Sequence, residues 1–261
     1  MRWAAGVEYL GTAYCGWQFQ DEAPSVQQAL ERELSVVANH PVRVVAAGRT
    51  DAGVHAWQQV IHFDSPAPRQ ARAWLLGCNS LLPRDLALRW VQQVPPEFSA
   101  RRSANSRRYR YVIHNGSARP GLLHDRVSWV IPPLDEGRMN VAAQVLLGEH
   151  DFSAFRDAKC QAKSPMRNLH SIQVRRWSSY VVIDVAANAF LHHMVRNIAG
   201  TLCAVGSSER PLQWVEEVLR GRKRMLGGVT AAPEGLYFVG PSYPAEFGLP
   251  GPPDPPFPGP L

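Results

Sequence analysis

Residues 48–56 read GRTDAGVHA, and the flanks of this stretch decide how the first half of the chain is built. VRVVAA at 42–47 leads in and WQQVIHF at 57–63 leads out, both rich in β-branched or aromatic residues, so each reads as a strand and the stretch between them as a turn. That turn places Arg49, Asp51 and His55 together at a strand end. Gly48 and Gly53 can supply positive φ, and Thr50 and Asp51 can bond nearby amides, so a loop built only for its own stability would use the same residues.

Working outward, a strand at 3–9 is followed by a helix opening SVQQ, where Ser25 caps and Gln28 closes a capping box, with Val26, Leu30, Leu34 and Val37 inward. After the two strands around the turn come a helix near 69–76 and a strand at 87–94, giving the order β-α-β-β-α-β. The second half repeats it. A strand at 108–115 precedes a helix at 136–147 stopped by Gly148, and HSIQVRRW pairs with YVVIDVAA across Ser178-Ser179. A helix at 190–205, another at 211–220 and a strand at 236–239 close the unit. This predicts an α+β fold of two tandem, pseudo-symmetric ferredoxin-like (split βαβ) halves, 1–104 and 105–245, forming one extended, mixed and mainly antiparallel sheet with helices on one face and a groove on the other. The proline-dense end, 246–261, is expected to run extended over the surface.

Composition sets the class. The 261 residues are 45% hydrophobic, enough for one large core or two coupled smaller ones. No stretch reaches the roughly 20 apolar residues of a membrane span, and the N-terminus lacks a signal-peptide core, which predicts a soluble, cytoplasmic protein. Cys15, Cys78, Cys160 and Cys203 stand far apart, without the spacing of a zinc site or a disulfide framework. The net charge is +6, and only three of the 28 basic residues are lysines. Arginine forks onto phosphate and stacks on bases, so the bias suits nucleic acid, although GC-rich coding produces the same bias.

The position of the charge is more informative. RRSANSRRYRY at 101–111 holds five arginines and two tyrosines and runs into the apolar VIHN. As a strand it puts Tyr109, Tyr111 and Ile113 on one face and Arg108 and Arg110 on the other. Aromatics among arginines can stack a base and hold its backbone; an edge strand with a solvated charged face has the same pattern.

Together GTAYCGWQ at 11–18 followed by SVQ, GRTDAGVHA, SARRSANSRRYRY, NAFLHHMVRNIAGTL at 188–202 and EGL at 234–236 resemble the bacterial TruA-type pseudouridine synthases, in order and over nearly the whole chain. Leu10 and Arg102 depart from the family pattern, where an aspartate and an aromatic are usual. The resemblance implies a homodimeric isomerase, without cofactor or metal, that converts uridine to pseudouridine at positions 38, 39 and 40 of the tRNA anticodon stem-loop, bound in a basic cleft. It implies that Asp51 is the catalytic nucleophile, that Arg196 pairs with it, that Arg49 helps extrude the nucleotide or fills its vacated place, and that Tyr109 packs on the target base and can take part in proton transfer. Arg101, Arg107, Arg108, Arg110, His192 and Leu236 are expected on the RNA side.

The chemistry suits these residue types. Moving C1′ of the ribose from N1 to C5 of one uracil requires cleavage of a glycosidic bond, rotation of the base, formation of a C–C bond and loss of the C5 proton. Addition to the base, attack on the sugar and a glycal route all remain open. A carboxylate beneath a flipped base must stay ionised, and a guanidinium offsets the desolvation that would protonate it. His192 and His193, adjacent in a helix, would diverge by about 100° and make a poor metal pair. His55 is expected to stabilise its loop.

Overall fold

The computed structural model describes residues 1–252, and the last part of the proline-dense tail, 253–261, lies outside the described residues. In chain order the regular elements are β1 (Arg2–Tyr9), α1 (Val26–Ala38), β2 (Val45–Ala46), β3 (His55–Asp64), α2 (Ala71–Leu81) and β4 (Leu86–Val94). They continue as β5 (Ser106–Asn115), β6 (Ser128–Val130), α3 (Glu136–Ala143), β7 (Gly148–Asp151), β8 (Met166–Trp177), β9 (Tyr180–Ala187), α4 (Met194–Gly206), α5 (Trp214–Gly221) and β10 (Leu236–Ser242). The chain divides into two compact units, Met1–Asn105 with the returning segment from Tyr237, and Ser106–Leu236.

In the first unit β1 lies between β3 and β4 and is antiparallel to both. β2 pairs antiparallel with the end of β3, Val45 opposite His62, while β10 runs parallel to its start, Tyr237 opposite His55. Two interleaved βαβ crossovers result, which is the split arrangement expected. The lead-in 42–47 is a strand for only two residues. The amides of Val42 and Val44 are taken by side chains of α1, bonding Ser35 Oγ at 2.9 Å and Glu31 Oε1 at 3.0 Å, so they leave no ladder to extend. Helix α2 runs on to Leu81, past the expected 76, because Trp74 and Cys78 stand one turn apart on its inner face and are fully buried. Trp74 closes the core against Phe63 and Trp3, with ring centroids 5.1 and 6.2 Å away.

The second unit is an antiparallel set in the order β5-β9-β8-β7, with β6 parallel to β5. The β8–β9 hairpin turns at Ser178-Ser179 as expected, Trp177 opposite Tyr180 and Ser178 at φ 53°. β6 and β7 were not expected; at three and four residues they are too short for a period-2 pattern to register. The helix expected over 136–147 ends at Ala143 and tightens into a 3₁₀ turn through Leu146. α4 starts at Met194 rather than 190, because His193 takes left-handed φ 60° and blocks an earlier start. α3 packs on β8 and α4 on β5, and Tyr111, Ile113, Ile198 and Leu202 are buried in this unit. The strand after Leu236 continues two residues beyond Gly240, through Pro241 to Ser242. Among the described residues no helix is long and apolar enough to cross a membrane.

Candidate active site

The Asp51 turn is fixed from both sides. Val54 N–H closes it onto the Asp51 carbonyl at 3.2 Å, with Gly53 at φ 77°. Gln59 Nε2 donates to the Gly48 carbonyl at 2.6 Å. Thr50 is buried, its carbonyl accepting from Trp17 N–H at 3.0 Å and its Oγ1 lying 2.8 Å from the Tyr9 hydroxyl. Gly53 N–H reaches the Tyr14 carbonyl at 3.3 Å, and Gly11 N–H donates to His55 Nδ1 at 2.9 Å. The GTAYCGW segment is therefore a wrap around the turn. Only glycine suits position 11, where a Cβ would sit 2.0 Å from the Val54 carbonyl oxygen.

Helix α1 holds the wrap in turn. The first amides of a helix have no partner within it, and here Val26 N–H goes to the Gly16 carbonyl at 3.2 Å and Gln27 N–H to the Trp17 carbonyl at 3.0 Å. Ser25 Oγ accepts from Gln28 N–H at 3.2 Å, the half of the capping box that a serine supplies. Asp51 is half-buried and Arg49 exposed. His55 is 1% exposed; since its Nδ1 accepts, the ring proton sits on Nε2, and the ring lies 4.7 Å from that of Tyr237, which stacks on Trp57 at 4.4 Å.

In the second unit Tyr109 lies on β5 opposite Val185, buried, with its ring edge-on to Phe190 at 5.0 Å. Arg107 Nη1 bonds the Asn188 carbonyl at 2.9 Å, and Arg108 stands 3.5 Å from Asp184. Arg110 corrects the picture of a strand whose arginines all face phosphate. It is 1% exposed, and its Nε and Nη2 fork onto Asp184 at 3.0 and 2.9 Å. Asp184 faces it directly in the β5–β9 register, so the cross-strand ion pair takes the guanidinium that an exposed strand would have offered to solvent.

His192 and His193 also differ from the helical pair expected. They precede α4, their rings lie 4.0 Å apart, and both Nδ1 atoms reach one carboxylate, Asp157, at 3.3 and 2.9 Å. Burial opposes ionisation of Asp157, but the Lys159 amide and the two imidazoles outweigh it, and its pKa lies below the usual carboxylate value. Asp157 comes from a remote loop and carries no local signal in the sequence. Arg196, half-buried on α4, donates from Nε to the Ala231 carbonyl at 2.7 Å and accepts the Ala231 N–H on its own carbonyl at 3.1 Å. Buried Asn197 supports that loop, its amide bonding the Phe155 carbonyl at 2.8 Å and its Oδ1 accepting from Thr230 at 2.7 Å. Leu236 is buried at the start of β10.

The relatives of the sequence give the class, an RNA-directed isomerase. The sequence profile described as tRNA pseudouridine synthase matches residues 5–101 and 142–244, spans that take in the Asp51 turn and the start of α4. A Tolumonas auensis protein named tRNA pseudouridine synthase A is 55% identical over 253 residues, 97% of this chain and 97% of its own. Its namesakes from Vibrio cholerae and Pseudomonas aeruginosa are 55% and 53% identical, each over 250 residues; these are 96% and 95% of this chain, and 95% and 88% of the relatives. The chain belongs to the tRNA pseudouridine synthase family and is an isomerase acting on tRNA uridine.

Proposed function

We propose that the chain isomerises uridine to pseudouridine at positions 38, 39 and 40 of the tRNA anticodon stem-loop, with Asp51 as the nucleophile. The observation that carries the reading is the immobilisation of the Asp51 turn by the 11–17 wrap and α1, which is what a reacting carboxylate needs before substrate arrives. Arg49 and Arg196 serve as the cations of the machinery, Arg49 beside the carboxylate in sequence and suited by its exposure to engage the extruded nucleotide. Tyr109 holds the flipped base.

The reaction balances without an outside reagent. The N1–C1′ bond breaks, a C5–C1′ bond forms, the C5 proton leaves and N1 regains one, so neither cofactor nor metal has a step to perform. Arg101, Arg107 and Arg108 hold backbone phosphates, and His192 faces the RNA with its ring oriented by Asp157. The enzyme acts as a homodimer in the cytoplasm, with the 1–104 half carrying the nucleophile and the 105–245 half the base-stacking tyrosine. The test is unmodified tRNA carrying [5-³H]uridine. Tritium release with pseudouridine mapped to 38, 39 or 40 is expected, and a tRNA left unchanged at those positions would overturn the assignment.

A further inference from the structure

The first unit contains a cavity of about 670 Å³ away from the Asp51 turn, lined by Arg2, His62, Glu97, Ser99, Arg101, Arg102 and Ser103 with Val45 and Pro96. Resting on the tRNA reading above, we infer that this cavity is a phosphate site that takes a backbone phosphodiester of the bound tRNA, with Arg102 and the Nε2–H of His62 as its donors.

Four features support the inference. His62 is 8% exposed, and its Nδ1 accepts the Ala100 N–H at 3.1 Å, so the ring proton lies on Nε2, which no described residue hydrogen-bonds. The rest of the His62 ring is enclosed, so this N–H is left to whatever occupies the cavity that the residue lines. The Ser99–Ser103 turn then presents the arginines rigidly. Ser99 N–H donates to Ser103 Oγ at 3.0 Å, Ser103 N–H to the Ser99 carbonyl at 2.9 Å, and Arg102 N–H to Ser99 Oγ at 3.3 Å. Arg102 itself is exposed, and among the described residues no carboxylate pairs with it.

The cavity's charge balance favours an anion. Arg2 is a fixed wall rather than a free donor, since it forks onto Asp64 at 2.9 and 2.7 Å and bonds the carbonyls of Pro96 and Phe98. Glu97 is the one carboxylate in the lining, against three guanidinium groups. Burial first and then Arg2, with a smaller addition from Arg102, push the His62 pKa down to about 4 against a pull from Asp64 that is weaker than that of Arg2, so at neutral pH the ring is a neutral donor among cations. A phosphate there meets guanidinium and N–H donors together, the combination that positions nucleic-acid backbone without reading sequence. Exposed Arg101 and Arg102 put the cavity mouth at the surface, where a polymer can reach it.

The test follows the His62 ring by NMR in the full chain through a pH titration, alone, with inorganic phosphate and with unmodified tRNA. The groups facing that ring are Arg2 on β1, Asp64 on β3, and Glu97, Arg101 and Arg102 on the loop after β4, with the N-terminal ammonium nearby on the Ser65 carbonyl. An incoming phosphate adds a negative charge, so tRNA is expected to raise the His62 pKa by about one unit or more, as an opposite charge does at close range. Arg102→Ala should abolish that rise and reduce the log–log salt slope of tRNA binding by about one. A rise with inorganic phosphate but not with tRNA would reassign the cavity to free phosphate and overturn the inference. No rise with either, or a salt slope unchanged in Arg102→Ala, would also overturn it. Tritium release from tRNA by the same preparation decides the synthase reading separately.

Discussion

The backbone amide of Gly11 donates a 2.9 Å hydrogen bond to Nδ1 of His55, tying the loop ahead of α1 to the strand that follows Asp51. The Asp51 turn is therefore only as rigid as residues far from it in sequence allow. Gly11→Ala would bring a Cβ to 2.0 Å from the Val54 carbonyl oxygen, a clash between two backbones that no rotamer relieves. A loss of about 1–3 kcal/mol in urea denaturation is expected, as for overpacking elsewhere, with a fall in turnover at temperatures where the variant is still folded. An unchanged midpoint and full turnover would mean that the wrap does not position the turn.

Arg110 and Asp184 form a buried pair, and removing one partner exposes its cost. Asp184→Ala leaves a guanidinium uncompensated in the interior and should destabilise by about 3–5 kcal/mol, whereas Arg110→Met with Asp184→Leu should recover most of that loss. Arg110→Met alone should leave the salt slope of tRNA binding unchanged, while Arg101→Ala should lower it by about one unit. Slopes measured by filter binding at several salt concentrations check both statements. A lowered slope in Arg110→Met would return Arg110 to the RNA face.

Much of this was legible in the sequence. The period-2 runs and the SVQQ cap place the two repeats, because strands of eight or more residues and a capped helix carry their patterns locally. What failed to show depends on partners distant in the chain. The 42–47 run looks like a strand, yet Ser35 and Glu31 of α1 capture its amides. The two histidines look helical until Asp157 draws both rings onto one carboxylate and His193 turns left-handed. Arg110 looks solvent-facing because nothing nearby announces that Asp184 will stand opposite it. At the candidate site the residue types were visible, and the wrap that immobilises Asp51 was not.

Tyr109 sits edge-on to Phe190 at 5.0 Å, a ring contact that does not involve its hydroxyl. Tyr109→Phe keeps the face and Tyr109→Leu removes it. If stacking is the role, Leu should lose about 1–3 kcal/mol of base binding and Phe little. If the hydroxyl also relays the C5 proton, Phe should lose about 10²- to 10⁴-fold in single-turnover rate with binding intact. We expect both effects. Near wild-type rates for both variants would remove Tyr109 from the site.

His62 makes the stability of the first unit pH-dependent. Its folded pKa is about 4, below the ordinary histidine value, so the unfolded chain binds the proton more readily. The neutral ring's contribution is thus fully present above about pH 6.5 and is lost as pH falls toward 4, on the order of 3 kcal/mol at most. His62→Gln should flatten the stability profile between those pH values in urea titrations. A profile with the same slope in the variant would show that other groups dominate.

The central claim is that one carboxylate does the chemistry while many contacts hold the RNA. Asp51→Ala tests it directly through single-turnover tritium release from [5-³H]uridine-labelled tRNA at saturating enzyme, alongside the dissociation constant. The account predicts no release above background and an affinity within about tenfold of the parent, roughly 1.4 kcal/mol. Measurable turnover by Asp51→Ala would contradict it.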